Sequence, residues 1–577
     1  MIKEKVQKVL DSKYFELMLV VIINIVFFII CNKLFTPKYE QVDDFIIMNL
    51  ISKMDGNYSL YGIQMHPIIC GIIILLYKTT ININWYTVFM LFMQFVSFTI
   101  IGTVFINKNR KIGILAYIAF VFMIYSKMLS YIQYTTVSML CIVSGFILLM
   151  HTIKKIETIS KPRIIISILI ILIGCMIRFS TIIIAAPFIV IYFICKLIKE
   201  KKLKVVGIAL VLIVAILLIN ISFNIIYNIN PIYKKILEFH DVRTYLHDYN
   251  WMYYDNNEEI FNSVNWSEND RDIFYAYCFG DEEVYNSESL EKLKQNSLNN
   301  TNNSNILQRC FNTFDSFTNS IKSNTYKFIF GLTAILVICN NLCIILKKEK
   351  DERNDTIKVS FINLTLIAIL GMHCLFIFLN RPMFRVVISI YIIGIAVLMY
   401  VSLENIKNLN SKTIKVVFVF IILLISTLEF EENVYYAKNY NIDNYSVYKE
   451  ILEYTSSHKE NAYLYTLVMH DRFLAYSVYE KVEDNTFSNV RPLGDWDTYT
   501  KNYYDFKERY NIDNLMKSLY KNDNVYLISG DVIWGEKYKK YINIIEKYIE
   551  QHYDINVESN IVKEFKNNIK IYKLYER

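Results

Sequence analysis

Eleven stretches of this 577-residue chain stay apolar for 14 to 23 residues at a time: 15–35, 85–106, 112–126, 133–151, 164–177, 180–197, 205–227, 326–346, 357–379, 386–402 and 414–430. A helix needs about 20 apolar residues to cross the hydrocarbon core of a bilayer, and fewer where it sits short or at an edge. Inside that core every backbone amide must find its partner within the protein, which leaves closed barrels and α-helices, and runs of this length are helical. The expectation is an α-helical polytopic membrane protein of about eleven transmembrane helices. The run 67–78 is too short to cross and reads as an interfacial or re-entrant helix.

Basic residues give the orientation, because loops retained on the cytoplasmic side carry the excess of Lys and Arg. With the N-terminus inside, the short inner segments hold 24 Lys/Arg over 64 residues, against 7 over 65 in the short outer ones. Lys3, Lys5, Lys8 and Lys13 precede the first run, and no small-residue cleavage site follows it, so 15–35 reads as a retained signal anchor. The expected location is the cell (plasma) membrane, multi-pass, with both long polar segments outside. The net charge of +7 is accounted for by the loops flanking the spans, and neither zinc spacing nor a concentrated basic face points to nucleic acid. Most of the ten cysteines lie in apolar runs, where Cys behaves as a small hydrophobe. Cys278 and Cys310 share one long outer loop and form a candidate disulfide pair.

The domain plan is a transmembrane unit over 1–430 followed by an extracytoplasmic α/β domain over 431–577. Within the first unit lie an outer loop at 36–84 and a larger one at 228–325, which ends in an Asn-rich linker around 297–305. In the tail, NAYLYTLV, NVYLISGD and IKIYKLYE read as strands, while 445–456, 503–519 and 536–550 read as helices.

The stretch from Tyr39 to Pro67 holds two adjacent carboxylates, Asp43 and Asp44, at the head of a short amphipathic pattern. Two readings stand: helix capping, with Asp43 as N-cap and Asp44 in the first turn, or handling of protons or cations just outside the bilayer. His66, Lys53 and Tyr61 share the stretch and are candidates for a substrate pocket; His66 also suits the cap of the helix at 67–78. Three arginines fall in short outer loops: Arg178, beside Ser180 and Thr181, and Arg381 and Arg385, which flank Pro382. Pro382 suits the first position of the following helix, so both sites place guanidiniums near helix N-termini. That is unfavourable without an anion, and phosphate is the natural guest. Snorkelling to lipid headgroups is the competing reading. The loop aromatics, from Tyr245 to Tyr254 and at Trp496 and Tyr499, suit an interfacial belt or sugar stacking.

Mid-span ionisable residues are nearly absent, against the needs of an ion-coupled transporter. There is no Gly-rich phosphate loop. An acidic pair in the first outer loop, an interfacial helix after it, many spans with short inner loops and a C-terminal outer domain together resemble the GT-C superfamily of membrane glycosyltransferases. The resemblance covers the architecture of the whole chain, and its motif-level match is Asp43–Asp44. It implies a polyprenyl-phosphate-linked sugar as donor, a lipid-linked or surface glycan as acceptor, and inverting transfer at the outer face among membrane lipids. Asp43 or Asp44 would be the catalytic base, with Arg178, Arg381 and Arg385 on the donor phosphate. Members differ on divalent-cation dependence, and the two carboxylates would permit Mg²⁺ or Mn²⁺. A polymerase or ligase of lipid-linked polysaccharide and a non-enzymatic exporter are the alternatives.

Overall fold

The computed structural model describes residues 14–154, 160–300, 306–347, 351–409, 411–439, 443–469, 476–530, 533–534 and 539–577. The N-terminal lysines at 3, 5, 8 and 13, and part of the Asn-rich linker, lie outside them. Among the described residues, ten helices are long and apolar enough to cross a membrane. In chain order the first part runs α1 (Phe15–Leu34), β1 (Lys38–Tyr39), α2 (Val42–Ser52), α3 (Pro67–Thr79), α4 (Trp85–Lys108), α5 (Arg110–Ser130) and β2 (Tyr131–Ile132). Then come α6 (Tyr134–Thr152), α7 (Lys161–Ile177), α8 (Thr181–Glu200) and α9 (Leu203–Ile229). The chain is a multi-pass helical membrane protein. The apolar run at 164–177 is the outlier: its helix, α7, has 17 residues and stands apart from the ten long ones.

Helix α7 packs against α6 by means of two glycines. A side chain on Gly145 would meet the Ser167 carbonyl at 2.6 Å, and one on Gly174 would meet the Ser138 carbonyl at 2.7 Å. Backbones this close gain dispersion contact that lipid tails do not supply, the usual basis of helix pairing in membranes. The pairing also holds the end of α7 beside the start of α6, where the site is built.

The second loop folds into short helices: α10 (Pro231–Thr244), α11 (Glu258–Asn262), α12 (Glu268–Tyr275), α13 (Ser287–Asn300) and α14 (Ile306–Lys322). Spanning helices resume as α15 (Lys327–Ile345), α16 (Glu352–Phe378), α17 (Phe384–Lys407) and α18 (Lys412–Asn439). The tail adds α19 (Asp443–Ser457), β3 (Ala462–Tyr465), β4 (Val490–Pro492), α20 (Lys501–Arg509), α21 (Leu515–Lys521) and β5 (Val525–Gly530). It ends with the small pair β6 (Ile533–Trp534) and β7 (Lys539–Lys540), then α22 (Tyr541–Tyr553), β8 (Val557–Glu564) and β9 (Ile569–Glu576). Its main sheet has the order β4-β3-β5-β9-β8, with β3 parallel to β4 and β5, and β9 antiparallel to β5 and β8. The three strands expected from sequence are β3, β5 and β9. The helix expected over 503–519 is two, broken where Asn511 takes φ 53° and Asn514 caps α21 through the Met516 and Lys517 amides.

The first loop, the second loop and the tail close over one end of the bundle. Asp281 of the second loop accepts from Asn514 at 2.7 Å and from the Tyr548 phenol at 2.8 Å, and Glu282 pairs with Lys507 at 2.7 Å. The turn after α2 is held by the tail: Phe487 N–H donates to the Met54 carbonyl at 2.9 Å. Cys278 and Cys310 are both free, one buried in this cap and one exposed on α14, so the candidate disulfide does not form.

Candidate functional site

The strand pair β1–β2 fixes the floor of the cap. Lys38 and Tyr39 run parallel to Tyr131 and Ile132, and the Glu40 N–H continues the ladder to the Ile132 carbonyl at 3.1 Å. Helix α2 starts immediately afterwards, with Gln41 rather than Asp43 as N-cap, so both aspartates lie in its first turn. Adjacent helical residues diverge, and the two carboxylates meet different surroundings.

Asp44 is fully buried. One of its oxygens accepts from the Tyr86 phenol at 2.6 Å and from the Tyr134 N–H at 2.9 Å. Tyr134 is the first residue of α6, so Asp44 does cap a helix, but across space and not its own. Burial raises its pKa well above the carboxylate range, with Tyr86 opposing and Asp43 adding to the rise. The second oxygen, Oδ2, is buried without a hydrogen-bond partner among the described residues.

Asp43 faces Arg385, with its Oδ2 3.5 Å from a guanidinium nitrogen. Glu40 approaches the same guanidinium from the other side at 3.7 Å. Burial raises the Glu40 pKa, and Arg385 opposes that rise. Arg385 is the second residue of α17, whose N-cap is Met383, so Pro382 lies outside the helix rather than starting it. Placed at an N-terminus, this guanidinium has its unfavourable dipole interaction offset by two carboxylates of the chain itself.

The other two arginines part company. Arg381 pairs with Asp248 at 2.6 Å and lies over the Tyr249 ring at 4.6 Å. Asp248 sits on a single π turn, Tyr245–Tyr249, that follows α10. Burial would raise its pKa, but His247, Arg243 and Arg381 together hold it well below the usual range. Arg178 ends α7 as its C-cap, where a cation suits the dipole, and also stands two residues before Ser180, the N-cap of α8, so it lies at the expected helix N-terminus and at a C-terminus together. Its guanidinium donates to the hydroxyls of Thr135 and Ser180 and lies 4.9 Å from the Tyr134 ring. No carboxylate of the described residues lies within ion-pair distance of it.

The remaining expected pocket residues lie elsewhere. Lys53 ends α2 in a left-handed turn and pairs with Asp484 of the tail at 2.6 Å, tying two segments of the cap together. His66 caps α3 by accepting from the Ile68 N–H at 3.2 Å, and its other nitrogen meets the Ser222 hydroxyl at 3.0 Å, as the capping reading has it. Burial lowers its pKa. Tyr61 is buried against Tyr227 and Tyr233, with its ring inside the fields of Arg243 and Tyr134.

Sequence reasoning missed Glu40, Asp248 and Arg243. Arg243 has no exposed surface; it donates to His240 at 3.1 Å and lies over the Trp496 ring at 4.2 Å, while its Nη1 is buried without a partner among the described residues. Tyr277 joins the groups: its φ of 55° is seldom taken by a bulky residue, and its ring packs 4.2 Å from that of His247. Burial raises its phenol pKa, opposed by Arg243 and reinforced by Asp248 and Asp43. A cavity of ≈ 310 Å³ adjoins the cluster through Glu40, walled also by Lys127, Phe384 and Asn433.

No family model matches this chain, and no curated protein sequence matches it. Among solved structures, it is similar to the crystal structure of ArnT from Cupriavidus metallidurans in the apo state, at 11% identity and a TM-score of 0.38, over 96% of this chain and 97% of that one.

Among the described residues, Glu40 Oε2 and Arg385 Nη1 lack hydrogen bonds but face each other as an ion pair at 3.7 Å, whereas Asp44 Oδ2 and Arg243 Nη1 lie buried with neither kind of partner. Buried unpaired groups are costly and call for an explanation. Chemically, the arrangement offers a carboxylate within reach of a fixed cation and a second cation with no anion of its own. Among the described residues no three His, Cys, Asp or Glu side chains gather to hold a metal ion, and the cation beside Asp43 is Arg385.

Proposed function

We propose that the chain is a membrane glycosyltransferase of the GT-C type. In this reading it moves a sugar from a polyprenyl-phosphate donor to a cell-envelope glycan at the outer face of the plasma membrane, with the N-terminus cytoplasmic. The observation that carries the reading is the pairing of Asp43 with Arg385 at 3.5 Å while Arg178 has no carboxylate within ion-pair distance among the described residues. Asp43 is the base in this scheme. The acceptor hydroxyl oxygen attacks the anomeric carbon from the face opposite the phosphate, and its proton passes to Asp43. The bond from the anomeric carbon to the phosphate oxygen breaks, and the lipid phosphate leaves with the electron pair. Inversion follows from that geometry.

Arg178 meets the phosphate as its charge grows, the stabilisation that fixed donors supply best where water is excluded. Arg385 aims Asp43, and Arg381 secures the wall through Asp248. Asp44 positions α6, and thereby Tyr134 beneath Arg178. The cavity beside Glu40 is the place for the sugar. A cation-dependent step is not part of the scheme, and transfer in the presence of EDTA checks that. The centre of the bundle favours this reading over an exporter: in α6 and α17, 89% of the residues in an 18-residue stretch of each helix are buried against the rest of the protein.

The test is purified protein in liposomes with radiolabelled polyprenyl-phosphate hexoses and a cell-envelope glycan extract. Release of polyprenyl phosphate coupled to glycan labelling is expected. Absence of both with every donor, from protein that remains folded, would remove the reading.

A further inference from the structure

The opposite end of the bundle holds a second charged cavity that sugar transfer does not use. It measures ≈ 140 Å³ and lies between the ends of α4, α6, α8 and α17 and the first turns of α16. Five lysines line it, with one carboxylate, Glu404, among them. Lys108, Lys154 and Lys358 all converge on that carboxylate, at 3.4, 3.0 and 3.0 Å. Lys196 pairs with Glu200 at 2.9 Å, and Lys199 has no carboxylate within ion-pair distance among the described residues. Five lysine side chains therefore face two carboxylates, more basic groups than the acidic ones can pair.

Lys108 is deeply set, with only 5% of its side chain exposed and its ammonium 3.2 Å from the Tyr400 ring centre. A buried cation is held at a cost unless it is paired, and here one carboxylate serves three. The inner wall is apolar, with Tyr192 and Phe361 packed edge to face at 6.0 Å on spanning helices. Charge at the mouth over an apolar wall matches an amphiphile with an anionic head. Along α17, Arg385 and Glu404 stand about 28 Å apart at the α-helical rise, so the two cavities occupy opposite membrane faces.

We infer that this lysine pocket binds a phosphate group, carried by an anionic phospholipid whose acyl chains follow the apolar wall. Basic pockets between transmembrane helices on the cytoplasmic side are suited to such heads. A soluble phosphate compound shares the chemistry, and the experiment separates the two.

The full-length protein is reconstituted in nanodiscs containing phosphatidylglycerol and phosphatidylcholine, and retained lipid is counted by native mass spectrometry after detergent release. Phosphatidylglycerol should be retained preferentially. The double variant Lys154→Ala/Lys199→Ala should lower that retention roughly tenfold, and Lys154→Arg/Lys199→Arg should keep it. In a second arm, inorganic phosphate and pyrophosphate are titrated against the melting temperature in phosphatidylcholine-only nanodiscs. A saturable rise that the double alanine variant abolishes would assign the pocket to a soluble phosphate, and no rise beside selective lipid retention assigns it to lipid. Equal retention of the two lipids with no response to phosphate would overturn the inference. So would unchanged retention in a double alanine variant that melts like the parent.

Discussion

The two ends of this helix bundle both concentrate positive charge, but they arrange it differently. Under the cap the cations are mainly arginines, each laid on a flat ring or set against a carboxylate: Arg178 on Tyr134, Arg243 on Trp496, Arg381 on Tyr249 and Asp248, Arg385 on Asp43 and Glu40; the one lysine of the cavity wall, Lys127, is paired with Glu429. At the far end the cations are lysines, three of them sharing one glutamate. A planar guanidinium with a rigid fork fixes where its partner sits, whereas an ammonium on a flexible stem acts as a point charge. The contrast teaches that one end is built to position a group and the other to attract one.

The contrast breaks most severely at Asp43. Asp43→Asn keeps the shape and removes the proton acceptor, so transfer should fall by roughly 10²–10⁴-fold, read as initial rates in liposomes. An unchanged rate would reduce the cap-end pairing to architecture. The next largest effect separates the two kinds of cation. Arg178→Lys keeps the charge but loses the fork, and transfer should drop about 10²-fold, within the range of a lost oxyanion donor. Retained activity there would erase the distinction between positioned and diffuse charge.

A smaller effect is expected at Asp44, and on stability more than on chemistry. Asp44→Ala leaves the Tyr86 phenol and the Tyr134 amide buried without their acceptor, at a cost of about 1–3 kcal/mol, visible as a lower melting temperature in detergent. Asp44→Asn retains an acceptor and should melt close to the parent.

The smallest effect concerns the seam between the first loop and the tail. Arg491 reaches Asp497 at 2.5 Å and Asp55 at 3.4 Å, and the Asp497 pKa is raised to about 7 by burial, with Arg491 opposing. A carboxyl whose folded-state pKa lies above its unfolded value contributes stability that is complete below about pH 4 and is lost as pH rises toward 7. The melting temperature of the parent should therefore decline from pH 5 to pH 8 more steeply than that of Asp497→Asn. Parallel declines would show that the carboxyl is not proton-linked to folding.

Much of the fold was legible because its signals are local. Apolar run length marked the spans, and short runs rich in aromatic and β-branched residues marked β3, β5 and β9. Strand β8 escaped because it lies at the sheet edge with mostly exposed side chains, such as Glu558, Asn560 and Glu564, which carry no buried face to read. In the site, the nearness of Asp43 to Arg385 followed from topology: both begin helices at the same end of the bundle. Arg381 and Arg243 did not follow. Whether a loop arginine answers to an internal carboxylate such as Asp248 depends on how the second loop folds back, and nothing local separates HDVRTYLHD from a solvated helix face. Lys53 looked like a pocket residue for the same reason, since its partner Asp484 is remote in sequence.

The central claim rests on the division of labour between neighbours, one carboxylate for the proton and one for the scaffold. The direct measurement is polyprenyl phosphate release by Asp43→Asn and Asp44→Asn, assayed together with the parent at equal folded protein. The account predicts loss of at least two orders of magnitude at position 43 and less than about tenfold at position 44. Full activity at position 43, or the larger loss at position 44, would contradict it.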